Sequence, residues 1–91
     1  MARYQVDITQ RLYVEIDESK FTAEWLADFR KTFYKLNDII DHVEFLAKLE
    51  ARGVIHTQDQ DCFIEGYGQA SDFKLKITKG EMNVDDVSQE F

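Results

Sequence analysis

The sequence predicts an α+β fold: an antiparallel sheet with two helices packed on one of its faces, in the order β-α-α-β-β, with room for a fourth short strand. Three observations predict it. Apolar residues alternate strictly near the N-terminus, recur at helical spacing through the middle, and alternate again near residue 75. A chain of 91 residues suits one domain over 1–91. With 44% hydrophobic and 13% aromatic residues, it can build a small core despite its size.

The first element is a strand. Tyr4, Val6, Ile8, Leu12, Val14 and Ile16 fall on one parity. Arg3, Gln5, Asp7, Thr9, Arg11, Glu15 and Asp17 fall on the other. A period of two buries one face. The phase is the same on both sides of Gln10, and a one-residue bulge would have inverted it. This predicts one strand of ~13–15 residues against a usual ~5–6.

Two helices follow. Phe21-Thr22-Ala23-Glu24 reads as a helix start, with Thr22 as cap and Glu24 in the first turn. Trp25, Phe29, Phe33 and Leu36 then recur at helical spacing. Asn37-Asp38 reads as a break and a second cap. Ile39, Ile40, Val43, Leu46 and Ala47 carry the next apolar face. Gly53 supplies the stop, and Val54 is placed to close on Leu49. A single helix over 22–52 would be ~45 Å long, so two are expected.

The remainder reads as short antiparallel strands. Gln58-Asp59-Gln60-Asp61 is a polar turn, and Cys62 to Tyr67 a strand with Gly66 and Gly68 near its end. Phe73, Leu75 and Ile77 alternate with Lys74, Lys76 and Thr78. Lys79-Gly80 permits a turn, Met82 to Val84 a short strand, and 85–91 a loose tail. The long first strand then lacks partners for half its length. An unpaired edge invites pairing, which predicts a homodimer or a partner that adds a strand.

Composition excludes several classes. One Cys rules out an intramolecular disulfide framework and a Cys-only zinc site. No apolar run approaches the ~18 residues of a membrane span. The N-terminus is patterned like a strand and unlike a signal peptide, so a cytoplasmic protein is expected. The net charge is −7, from 18 acidic and 11 basic residues. It opposes direct binding to nucleic acid or an anionic membrane and favours a basic partner.

No motif announces catalysis. His56, Asp59, Asp61 and Cys62 are ligand and nucleophile types, but their spacing fits neither a zinc nor a calcium pattern. His42, four residues after Asp38, suggests a local Asp–His pair. Glu65 and Tyr67 flank Gly66 and are expected on an exposed strand face. Tyr13 and Tyr34, near the polar sides of their elements, join Tyr67 as interface candidates. The reading is therefore a non-enzymatic protein, with no catalytic, cofactor or metal residues assigned. Asp38, Asp41 and Glu44 on the second helix, with Asp59, Asp61, Glu65 and Tyr67 beyond it, are the expected partner-binding set.

In size, charge and α+β order the chain resembles small acidic accessory proteins of phages and prophages, of the anti-CRISPR and anti-restriction inhibitor kind. The hexad Phe63-Ile64-Glu65-Gly66-Tyr67-Gly68 is distinctive but carries no family signature. The chain departs from full duplex mimics in the basic run Lys74, Lys76 and Lys79. The resemblance implies an inhibitor that places its acidic patch in the basic groove of a nucleic-acid-binding host protein. The alternative is an assembly protein that pairs with itself through the first strand.

Overall fold

Unbroken alternation produces one continuous strand. β1 (Arg3–Glu15) spans 13 residues. It pairs antiparallel along its whole length with β4 (Lys76–Glu90), which spans 15. The computed structural model describes residues 1–57 and 61–90. At ~3.3 Å per residue the β1–β4 ribbon is about 43 Å long, and the molecule measures 52 × 28 × 20 Å. Its radius of gyration is 16.3 Å, against about 12 Å for a compact domain of this length.

The long partner strand corrects four expectations, the first being that β1 lacks partners for half its length. The strands after the helices are not all short, Lys79-Gly80 is not a turn, and residues 85–90 are not a loose tail. The reason lies in two register shifts, both of which place the extra residue on β4. Gln10 faces Met82 and Leu12 faces Lys79, so Gly80-Glu81 oppose Arg11 alone. Asp7 faces Asp86 and Ile8 faces Val84, so Asp85 is extra. Each bulge inverts the parity of its strand. Ile77, Met82, Val84 and Val87 therefore lie on one face although their numbering changes phase twice. The pairs Val14–Ile77, Ile8–Val84 and Val6–Val87 lie on that face.

The helices form as their caps dictate. α1 (Ala23–Thr32) begins at Thr22, whose Oγ1 accepts from Trp25 N at 3.1 Å. It ends four residues short of Leu36, leaving Phe33 and Tyr34 exposed. α2 (Ile39–Ala51) begins at Asp38, whose carboxylate accepts from Asp41 N at 3.0 Å. Asp41 reaches back to accept from Asn37 N at 2.9 Å, a reciprocal cap. At the other end Gly53 has φ +74°. Its N–H reaches Glu50 O, and Val54 N reaches Leu49 O at 2.9 Å, the closure expected from Gly53-Val54.

The segment after α2 is compact but barely stranded. β2 (Phe63–Ile64) and β3 (Gly68–Gln69) form a second, separate two-stranded sheet. Tyr67 N donates to Ile64 O at 2.9 Å around Gly66, whose φ is +87°, the position that favours Gly in a tight turn. A short 3-10 turn (Ala70–Phe73) leads into β4. The core gathers Phe21, Leu46, Ile55, Ile64, Phe73, Leu75 and Ile77. Leu12, Val14 and Ile16 of the N-terminal strand region pack against it. The helices thus cover only the proximal end of the ribbon.

Candidate functional site

Where the helical layer stops, the apolar face of the ribbon continues. Tyr4, Val6 and Ile8 on β1 and Met82, Val84 and Val87 on β4 are each 46–61% exposed. On a small monomer such side chains are ordinary when scattered, but a contiguous stripe marks an interaction surface. The opposite face is polar. It carries Asp7 against Asp86, Gln5 against Ser88 and Thr9 against Asn83. Thr9 Oγ1 donates to the carboxylate of the bulged Asp85. Like charges directly opposite each other, as at Asp7 and Asp86, weaken a ladder. Tyr13 lies on this face too, with its ring over Gly80, where a Cβ would come within 2.8 Å of it.

The structure distributes the expected partner-binding residues among different tasks. Asp38 is consumed as the α2 cap, and Asp41 is half-buried in the reciprocal bond. Glu44 and Glu65 are exposed. Asp61 accepts from Cys62 N at 3.0 Å, Ser71 N at 2.9 Å and Ser71 Oγ at 2.6 Å. Those bonds from Ser71 hold its carboxyl below the usual carboxylate range and tie β2 to the 3-10 turn. Asp59, with the rest of the turn at 58–60, lies outside the described residues.

Tyr67 corrects an expectation. It does not join Glu65 on an exposed strand face, because the turn at Gly66 swings it inward. Its phenol is 2.6 Å from His42 Nδ1, and burial pushes its pKa up. His42 in turn makes no local pair with Asp38. Its ring is 0% exposed, enclosed by Phe21, Trp25 and Phe29 at centroid distances of 4.7–5.7 Å. Burial lowers its pKa, against an opposing pull from Asp41 and Asp38. Its Nε2 has no partner.

A second buried polar group was not foreseen. Glu50 Oε1 accepts from Thr57 N at 3.3 Å and from Thr57 Oγ1 at 3.2 Å. That hydroxyl accepts from Ile77 N at 3.0 Å, so a side-chain relay joins the end of α2 to β4. Glu50 Oε2 is unpartnered. The sequence signal was faint: a Glu on the apolar side of α2.

His56 is exposed and Cys62 half-buried. Among the described residues no group of three His, Cys, Asp or Glu could hold a metal, and no helix is long and apolar enough to cross a membrane. Shallow hollows exist beside the aromatic core. One of about 210 Å³ is lined by Lys20, Phe21, Trp25, Tyr67, Asp72 and Phe73. No protein-family model, curated protein or solved structure matches the chain.

Proposed function

We propose that the protein is a non-enzymatic, protein-binding module whose docking element is the distal ribbon. One observation carries the reading: an apolar stripe, Tyr4, Val6, Ile8, Met82, Val84 and Val87, that the protein's own helices leave uncovered. The stripe is carried on a two-stranded ladder rooted in the core through Val14 and Ile77. The sealing of His42 among aromatic rings supports a role without chemistry. The test is covalent capture in cells. A photo-crosslinking amino acid at Val6 or Val84 should trap a protein chain, another copy included, while the same probe at exposed Arg52 should not. Equal capture from all three positions, or none from the ribbon, would overturn the reading.

A second reading rests on charge. Asp85 and Asp86 on the ribbon, with Glu44 and Glu65 on the globule, are exposed acids on a chain of net charge −7. They favour a basic, nucleic-acid-binding partner, which an inhibitor would hold away from phosphate. Inhibition of such a partner should fade as salt rises and disappear on charge reversal of Glu44 and Glu65, both exposed. Inhibition indifferent to both would remove this reading.

A further inference from the structure

We propose that the partner seated on the ribbon is a second copy of this chain, joined edge to edge through β1 about a two-fold axis at Thr9. This rests on the ribbon being a docking element and adds the occupant and the register. Three observations carry it. First, β1 has one edge against β4, and no strand covers the other among the described residues. Proteins protect such edges with bulges, prolines or inward charges. Here both bulges lie on β4, and β1 runs regularly with no proline. The chain has therefore disrupted one edge of the ribbon and left the other clean.

Second, β1 is charge-complementary to itself in one register. With Thr9 opposite the second copy's Thr9, Asp7 faces the second copy's Arg11, and Arg11 faces its Asp7. Gln5 faces Tyr13. Sliding the axis to Asp7 would set Asp7 against Asp7, and sliding it to Arg11 would set Arg11 against Arg11. Both are repulsive. Third, these charges are unused within the protomer. Asp7 and Arg11 are exposed and have no ion-pair partner among the described residues. Asp7 is crowded by Asp86 across the ladder, so a cation arriving from a neighbour relieves an existing repulsion. On the other face the same register sets Val6 beside the second copy's Leu12, and so brings the exposed stripe next to the root of the second ribbon. The contact is isologous and closes at two copies.

The experiment is a charge swap on the full chain, read by sedimentation over a range of concentrations. Wild type should dimerise. Asp7→Arg and Arg11→Asp each replace two attractive cross-strand pairs with two repulsive ones, so each should weaken dimerisation about tenfold or more. Mixed together the two variants regain every pair and should form a heterodimer, which shows that neither simply failed to fold. A Thr9→Cys variant in a Cys62→Ser background should form a disulfide dimer on mild oxidation, since opposed residues at the axis lie within disulfide reach. A wild-type monomer, or a dimer unaffected by either reversal, would overturn the proposal. If the chain is monomeric while its ribbon still cross-links to a different protein, the occupant is wrong and the docking element stands. If the ribbon captures nothing, both fall.

Discussion

Removing one oxygen tests whether the buried imidazole is a structural liability held in check by Tyr67. Tyr67→Phe deletes the hydroxyl 2.6 Å from His42 Nδ1 and keeps the ring contacts with Phe29 and Phe73. His42 Nε2 already lacks a partner. The variant would leave both ring nitrogens unsatisfied in a site with no solvent access. Stranding a buried polar group costs about 1–3 kcal/mol, a large share of the ~5–10 kcal/mol expected of a domain this size. The single Trp, Trp25, lies edge-on to His42 at 5.3 Å and tilted to Tyr67 at 5.7 Å, so its fluorescence reports unfolding in urea at this site. The midpoint should fall at unchanged slope. Adding His42→Leu should recover much of the loss, because replacing both partners by apolar groups is nearly neutral. A Tyr67→Phe variant as stable as wild type, or a double variant weaker than the single by the full His42→Leu cost, would refute the argument.

Acid should act in two stages. His42 has a folded pKa below its unfolded value near 6.5, so the unfolded chain takes up the proton first and stability falls as pH drops below about 6.5. Asp17 and Asp61, both held below 3.8 by hydrogen bonds from Ser19 and Ser71, add a further loss only below about pH 4. Urea midpoints across pH 3–8 should show both, and His42→Leu should erase the upper stage alone. Gly66→Ala should cost about 1–3 kcal/mol: its φ is +87°, and the new methyl would meet Phe29 Cε2 at 2.7 Å. Thermal melts measure it. Thr57→Val severs the relay between Glu50 and Ile77 N and should cost about 1–3 kcal/mol, with faster amide exchange at Ile77 as its mark.

Legibility in the sequence tracked how local each physical signal is. Both helices could be read with their caps, because Thr22, Asp38 and Gly53 act within a few residues. β1 could be read in full, because its phase never breaks. β4 could not. Its apolar residues change parity at Gly80-Glu81 and at Asp85, and without a partner strand a parity change looks like a turn or a frayed end. Only the constant phase of β1 reveals that both changes are bulges. Tyr67 was misplaced for a related reason. Two glycines in three residues signal a turn, yet the direction of the side chain between them depends on Phe29 of α1 and Phe33 just beyond it, whose rings leave no room for a Cβ at Gly66. The acidic set was legible as charge but not as function, since a carboxylate that caps a helix and one that meets a partner are spelled alike.

The bulges also bear on where assembly stops. Without Glu81 the ladder would run Lys79–Leu12, Gly80–Arg11, Met82–Gln10. Without Asp85 it would run Val84–Ile8, Asp86–Asp7, Val87–Val6. In both cases alternation is intact, so neither extra residue is needed to keep the apolar face together. What each adds is local twist and an unpaired residue on β4, the features that deny an edge to further strands. With one clean edge, self-pairing closes at two copies; with two, each added copy would expose another edge, and growth would be open-ended. Deleting Glu81 and Asp85 together should therefore leave the helical spectrum and the apolar stripe unchanged and convert a small closed species into sheets that bind an amyloid dye and sediment rapidly. The deletion variant is expected to melt no lower than wild type, since its ladder is more regular. If it remains the same size as wild type at the same concentration, the bulges do not guard the edge, and the asymmetry between β1 and β4 has another cause.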